Sequence, residues 1–405
     1  MENENGGVIN ASARSDIKLH RESRRASLHG TRLNGALDQS PKSRKLVLHF
    51  DIRNTILVAD SVTNVDVDEA LNTYLAGVTW GFPTADGWRW CSDTPSLKRP
   101  QKGAVTYYKY LEDRLVNERS DRTRLRKETG AFTQAEIGRR FQPYFAKHLQ
   151  LLRWQHHQVD EKLTMKGKNG ERYHYILPAF FRLLRHLWRT SRDFAVVLRT
   201  YGLDADNVLR SIEHGLAGHH PSLSAPLPIP VNRRPGRIHR SDDGHVEFHV
   251  RSPEGRDSAV YDRCRDVYDH LSRRTGVGGF VDDYFHWQGR GFHHCAGKPL
   301  WIDPSERTVQ HIFFDDNIRI SDVDNIVDLR MFEADGVSTR QLSVDETAVF
   351  EDMCLVQNDL LHAIEDVEYF VKKVEVCEEK YDHFLAKCQG STNLQRSTGL
   401  HVDVR

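Results

Sequence analysis

The sequence predicts an α/β protein built on a doubly wound, mainly parallel sheet, and three short apolar segments carry this prediction. The first, at 46–50, is a run of β-favouring apolar residues. The second, at 194–198, follows an amphipathic segment at 178–190, as in a helix-then-strand unit, and the third lies at 309–314. Continuous apolar runs of this length are typical of strands that are covered by other layers on both faces.

A chain of 405 residues is longer than a usual single domain of roughly 100–200 residues, which favours a core with an insertion. We expect the core at 45–58 and 176–330. The segment between them, 59–175, is too long for a simple crossover and is predicted to form a mainly helical cap. Its helical patterns lie at about 65–76, 104–117 and 134–153.

The N-terminal segment, 1–44, is rich in Asn, Ser, Gly, Arg and Lys and has few large apolar residues. Such a segment cannot offset its ordering entropy, so it is predicted to be a disordered basic tail. Within it, Arg24 and Arg25 precede Ser27 in the way that basophilic kinases favour, which makes Ser27 a candidate phosphorylation site. The alternative is a solvated basic tail with no such role.

A long amphipathic helix is predicted within 343–389, followed by a polar tail at 390–405. Ser343 and Glu346 have the spacing of a capping box at its start. Its apolar seam could pair with a second copy of the chain, although packing against the protein's own core is favoured. The seam has a four-three-four-three spacing and consists of Leu360, Ile364, Val367, Val371 and Val374.

Composition excludes several classes of partner. Lys plus Arg and Asp plus Glu both number 57, so no net charge draws the chain to nucleic acid or to a membrane surface. The six cysteines form no CxxC pair, which favours reduced thiols, and no apolar leader or spanning run is present. We therefore expect a cytoplasmic protein. The sequence also has no Walker A, GxSxG or HExxH signature.

Polar residues follow each of the three predicted strands. Asp51 and Thr55 follow the first, Thr200 follows the second, and Asp315 and Asp316 follow the third. Parallel strands bring their carboxyl ends to one edge of a sheet, where such folds bind ligands. A carboxylate nucleophile, a hydroxyl donor and further carboxylates for a metal are the groups that aspartate-based phosphoryl transfer requires.

In this order the motifs resemble those of the haloacid dehalogenase (HAD) superfamily of aspartate-dependent hydrolases, whose core is Rossmann-like. Asp51 in DIRNT resembles the nucleophile motif, and Thr200 in LRTYG resembles the hydroxyl motif. Lys298 in GKP resembles the family's lysine, and Asp315 and Asp316 in FFDD resemble its acidic motif. The resemblance does not extend to the cap or to either tail.

The resemblance implies a Mg²⁺-dependent phosphohydrolase that acts on a phosphorylated small molecule or a phosphoprotein. Asp51 would be the nucleophile, with Thr200 and Lys298 as further catalytic residues. The metal ligands implied are Asp51, Asp315 and Asp316. The phosphate-binding residues implied are Thr55, Thr200, Lys298 and Arg53.

Arg53 departs from the pattern of HAD phosphatases, which place a second aspartate two residues after the nucleophile. An arginine does not lose its proton at neutral pH, so Arg53 cannot serve as the general acid and base. It could instead pair with Asp51 and block it. An alternative function is therefore a catalytically inactive scaffold that binds a phosphorylated ligand or a protein. A third interpretation is a structural module regulated through its tail.

A different metal site is suggested by two histidine-containing segments, His293-His294-Cys295 and His219-His220, whose nitrogen and sulfur atoms are ligands suited to zinc. Their spacing matches no known zinc motif. Because the chain contains 22 histidines, adjacent pairs are expected by chance, and this disfavours the zinc interpretation.

Overall fold

The computed structural model describes residues 44–59, 65–116, 121–252, 257–320 and 325–398. The predicted N-terminal tail, apart from Arg44, lies outside these residues, and so does Ser27. The last seven residues of the predicted C-terminal tail, 399–405, also lie outside them.

Strands and helices alternate along the described chain. The strands are β1 (Lys45–Phe50), β2 (Trp80–Thr84), β3 (Gly87–Trp90), β4 (Val105–Thr106), β5 (Thr164–Lys166), β6 (Arg172–His174), β7 (Phe194–Thr200), β8 (Gly236–Arg240), β9 (Val246–Arg251), β10 (Asp257–Tyr261), β11 (Gly276–Val281), β12 (Lys298–Ile302), β13 (Val309–Asp315), β14 (Val327–Phe332), β15 (Thr339–Gln341) and β16 (Leu355–Gln357). The helices are α1 (Val67–Gly77), α2 (Tyr107–Leu115), α3 (Arg122–Gly130), α4 (Gln142–Leu152), α5 (Pro178–Arg189), α6 (Ala205–His214), α7 (Cys264–Arg273), α8 (Tyr284–Gly289), α9 (Val344–Ala348), α10 (Leu360–Glu365) and α11 (Tyr369–Thr398).

The central sheet has eight strands in the order β10-β9-β8-β11-β7-β1-β13-β16. From β8 to β16 every neighbouring pair is parallel, and β8, β9 and β10 continue the sheet as an antiparallel meander. The three strands expected from apolar runs are confirmed as β1, β7 and β13. The α/β class and the mainly parallel sheet are confirmed with them.

The apolar runs are continuous because both faces of the sheet are covered. Leu48 and Phe50 of β1 belong to a cluster that includes residues of α1, α5, α6, α10 and α11. Val47, which points to the other face, packs with Val267 of α7 and with Trp301 of β12. This second face is therefore covered by α7 and by a small sheet of order β12-β14-β15, rather than by helices alone.

The long insertion contains the expected helices, as α1, α2 and α4, and it also contains α3 and two small sheets, β3-β2-β4 and β5-β6. Most of the buried apolar residues described in the insertion belong to the main hydrophobic cluster. Leu71, Phe141 and Phe145 lie in the same hydrophobic cluster as Phe50 and Phe180 of the α/β core. The insertion is thus packed directly on the helical face of the sheet.

The prediction of one continuous C-terminal helix is wrong. The capping box of Ser343 and Glu346 is present, but it starts only the short α9. The chain then forms β16, which pairs with β13 beyond the predicted core boundary at 330. Strand pairing at the open edge of the sheet overrides the local helical pattern, and Val367 lies exposed between α10 and α11.

The helix α11 continues to Thr398, past the predicted end at 389. Its Val371 and Val374 are buried in the main hydrophobic cluster. These seam residues therefore pack against the protein's own core. Among the helices of the described residues, none combines the length and the apolar character needed to cross a bilayer.

Candidate active site

The candidate site lies where the direction of chain winding reverses. The strand β1 has β7 as its neighbour on one side and β13 on the other. Such a reversal opens a crevice at the carboxyl ends of the strands. Asp51 directly follows β1, and Asp315 is the last residue of β13. The topology thus brings together two carboxylates that are 264 residues apart in the chain.

Lys298 joins these two carboxylates. It is the first residue of β12 and is 1 % exposed. Its Nζ donates to Asp51 Oδ1 at 2.6 Å, to Asp315 Oδ2 at 2.8 Å and to the carbonyl oxygen of Arg199 at 3.0 Å. All three protons of the ammonium therefore have acceptors, as a buried charge requires.

The charges at the site shift one another's ionisation. Burial by itself would lower the pKa of Lys298, but the carboxylates of Asp315 and Asp51 outweigh it and raise that pKa above its ordinary value. Burial raises the pKa of Asp51 well above its ordinary range, Lys298 opposes this shift, and Asp315 and Asp316 add to it. The ammonium is thus firmly charged, whereas the carboxylates repel one another.

Asp51, Asp315 and Asp316 each have a carboxylate oxygen, and these oxygens lie within 4.8 Å of one another. Burial, followed by the charge of Asp315, raises the pKa of Asp316 to about 7. When all three are ionised, the carboxylates outnumber the one ammonium and leave excess negative charge at a site where Asp51 and Asp315 are buried and Asp316 is partly exposed. Because carboxylate oxygens are hard ligands, this donor set fits Mg²⁺ better than a softer transition metal.

The turn after β1 holds Asp316 from the other side. Asn54 has a left-handed backbone with φ 57°, a conformation that asparagine tolerates better than most residues. Its Nδ2 donates to Asp316 Oδ2 at 3.1 Å, and Asn317 Nδ2 donates to Asp316 Oδ1 at 3.0 Å. The two amides therefore orient the carboxylate towards the cluster.

The remaining predicted phosphate-binding residues differ in their surroundings. Thr55 is fully buried, and its hydroxyl has no hydrogen-bond partner among the described residues. Thr200 ends β7, and its Oγ1 accepts a hydrogen bond from the N–H of Gly202 at 2.9 Å, so its O–H can still donate to a ligand. Arg53 is exposed, and the cation paired with Asp51 in the ion pair described above is Lys298.

Two supporting residues were missed by the sequence reasoning. Arg199 is fully buried and forms a two-point ion pair with Asp282, at 2.6 and 2.9 Å. Its backbone carbonyl is the third acceptor of Lys298. An arginine inside an otherwise apolar strand is a detectable signal of such a buried pair.

Asn358 is the second missed residue. Its Nδ2 donates to the carbonyl oxygen of Asn54 at 2.9 Å, and its N–H donates to the carbonyl oxygen of Asp315 at 3.0 Å. It therefore ties the loop after β1 to the end of β13. Nothing in the local sequence indicates this role.

An aromatic wall borders the lysine. The Tyr201 ring centroid lies 5.1 Å from Lys298 Nζ, and the ring stacks on Trp287 at 5.1 Å with an interplanar angle of 10°. The Tyr201 hydroxyl has no hydrogen-bond partner among the described residues. Burial, with the nearby charges of Asp282 and Asp315, raises the pKa of this phenol well above its ordinary value. It therefore stays a neutral donor.

The two histidine-containing segments also have defined places. His293, His294 and Cys295 have side-chain ligand atoms within 4.8 Å of one another. His219 and His220 have different surroundings. His220 is buried and stacks on Phe181 at 4.0 Å, whereas the side chain of His219 lies near those of Asp160 and His214.

Comparisons of the chain with protein-family models, with curated proteins and with solved structures give no match. The assignment of a function therefore depends on the residues of the site itself.

Proposed function

We propose that the protein is a HAD-like hydrolase that transfers the phosphoryl group of a phosphate ester to Asp51 with the aid of Mg²⁺. The single observation that carries the proposal is the bridge formed by Lys298 between Asp51 and Asp315 at the ends of two adjacent parallel strands. A buried salt bridge is weak evidence of a role in stability, and ionisable groups with shifted pKa values in a crevice are candidates for a functional site.

The proposed reaction has two steps. An oxygen of Asp51 attacks the phosphorus while the bond from phosphorus to the ester oxygen breaks, which leaves an acyl phosphate on Asp51. Water then attacks that phosphorus and releases inorganic phosphate and the Asp51 carboxylate. Lys298 favours the ionised form of Asp51 against the effect of burial, and it would offset the charge of the incoming phosphoryl group.

Mg²⁺ would be held by Asp51, Asp315 and Asp316 and would supply positive charge next to the phosphoryl oxygens. The buried hydroxyl of Thr55 and the O–H of Thr200 would donate to those oxygens. The insertion packs on the helical face of the central sheet. We propose that it acts as the cap. The substrate would be a phosphorylated small molecule or a phosphoprotein.

Arg53 limits the substrates that this mechanism can use. It stands two residues after Asp51, where HAD phosphatases have the aspartate that protonates the leaving oxygen, and an arginine cannot do so. The reaction then favours leaving groups that depart as anions, such as phenolates and carboxylates. We therefore propose aryl or acyl phosphates as better substrates than alkyl phosphates.

Because Arg53 cannot act as a general acid and base, it also favours a second candidate function, an inactive scaffold that binds a phosphorylated ligand. In that case the same carboxylates and Lys298 would bind metal and phosphate without turnover.

The test is the hydrolysis of a panel of aryl, acyl and alkyl phosphates with and without Mg²⁺ by the parent protein and by Asp51→Asn and Arg53→Asp variants. Asp113→Asn, at an exposed carboxylate of α2, is the matched control. Mg²⁺-dependent activity that Asp51→Asn abolishes and Asp113→Asn retains would support the hydrolase. Activity that persists in Asp51→Asn would contradict it, and activity found only in Arg53→Asp would support the inactive scaffold.

A further inference from the structure

A second group of metal-ligating side chains lies at the junction of the insertion with the core. It consists of Asp160, which lies between α4 and β5, His214, the last residue of α6, and His219. One ligand atom from each lies within 4.8 Å of the other two. His214 Nε2 is 2.7 Å from Asp160 Oδ2, and the two imidazole rings are stacked with centroids 4.1 Å apart.

The chain is shaped to bring the two histidines together. A wide turn, Gly215–His219, follows α6, and the helical backbone ends within it at Gly218. Gly218 has φ 98°, and a Cβ at this position would lie 3.1 Å from Pro226 Cγ, so glycine is required there. Without this turn, His219 would continue along the helix, away from His214.

The carboxylate is anchored to the same helix. Asp160 Oδ1 accepts the N–H of Lys162 at 2.9 Å, which leaves Oδ2 directed at His214. The Ser211 hydroxyl of α6 donates to the carbonyl oxygen of Lys162 at 2.7 Å. Asp160 and the helix that carries His214 are therefore held in place by hydrogen bonds other than the one between the two ligand side chains. His219, which is exposed, remains able to rotate.

We propose that Asp160, His214 and His219 bind a Zn²⁺-class transition metal, with water completing the coordination. Two imidazoles and one carboxylate are a donor set that suits zinc and differs from the all-carboxylate group at Asp51. Coordination through His214 Nε2 replaces the hydrogen that now lies between this atom and Asp160, and the proton of the neutral imidazole then resides on Nδ1. The bound metal would fasten the 154–164 segment of the insertion to α6.

This site is independent of the proposed hydrolase activity, and it can be tested by binding alone. The full-length protein, with its active-site carboxylates saturated by excess Mg²⁺, is titrated with Zn²⁺ in a calorimeter and with Co²⁺ in a spectrophotometer. We expect one site, a tetrahedral Co²⁺ spectrum without a thiolate charge-transfer band, and a rise of about 2 °C in Tm for each tenfold excess of Zn²⁺ over the dissociation constant.

Variants locate the metal. His214→Ala and His219→Ala should each weaken Zn²⁺ binding by about 10-fold or more. His362→Ala is the matched control, because His362 forms a comparable surface pair with Asp359 at 3.3 Å, and it should bind Zn²⁺ as the parent does. Since His219 is exposed, its variant should fold even if His214→Ala does not.

Three results would overturn the proposal. They are the absence of Zn²⁺ binding by the parent protein, undiminished binding by His219→Ala, and loss of the site in Cys295→Ser with a thiolate band in the Co²⁺ spectrum. The last result would place the metal at His293, His294 and Cys295 instead.

Discussion

Lys298 and Asp51 form an ion pair of 2.6 Å between residues that are 247 positions apart, and Lys298 is almost fully buried. The lysine comes from the small sheet on one face, whereas the aspartate comes from the centre of the large sheet. Each needs the other to be buried as a charged group. The packing of the small sheet against the large sheet therefore depends on the charges of Lys298 and Asp51 at the candidate site.

Replacing Lys298 should show this coupling. Lys298→Met leaves Asp51 and Asp315 without their counter-charge, and breaking such a buried pair costs about 3–5 kcal/mol. We expect the free energy of unfolding, measured in urea with a chelator, to fall by this amount, and hydrolysis to be lost. Lys109→Met, at an exposed pair on α2, should change stability by about 0.5 kcal/mol or less. Equal effects of the two variants would contradict the role of Lys298.

Asp316 should make stability depend on pH in the absence of metal. Its pKa is about 7 in the folded protein, above the ordinary value of 3.8, so the folded state binds this proton more tightly than the unfolded state. The contribution of Asp316 to the free energy of unfolding therefore falls as pH rises between these two pKa values. Asp316→Asn should remove this fall and be more stable than the parent by about 1–3 kcal/mol at pH 8 with a chelator. Parallel stability–pH curves for the two proteins would refute the assignment.

Substrate choice should follow the leaving group. Because Arg53 cannot protonate the departing oxygen, kcat/KM should rise steeply as the pKa of the leaving alcohol falls. A series of substituted phenyl phosphates measured at constant pH gives this dependence. In Arg53→Asp the slope should become shallower, since a carboxyl group then stands at that position. An unchanged slope would show that protonation does not involve this residue.

Asn358 should act as a positioning residue. Asn358→Ala removes the hydrogen bond to the carbonyl of Asn54 and so loosens the turn that orients Asp316. We expect Mg²⁺ affinity to fall by about 10-fold and stability by about 1–2 kcal/mol. Asn232→Ala is the control, because Asn232 makes a similar bond to the carbonyl of Arg251 on another part of the sheet. The control should lose stability without losing Mg²⁺ affinity.

The sequence by itself determined the elements that have a strong local signal. Continuous apolar runs predicted β1, β7 and β13 because strands covered on both faces need apolar residues at every position. The same runs located Asp51, Thr200 and Asp315, because residues at the carboxyl end of a parallel strand lie at the edge of the sheet where such folds bind ligands.

Only the tertiary structure decided which distant groups meet. The pairing of Lys298 with both carboxylates, the tie made by Asn358 and the meeting of Asp160 with His214 depend on contacts between separate elements. The helix predicted within 343–389 was interrupted at its start for the same reason, since an open sheet edge offered backbone hydrogen bonds to 355–357 that a helical pattern does not reveal. The periodicity of a segment predicts which of its faces is buried. The features above depend instead on which other element packs against that face.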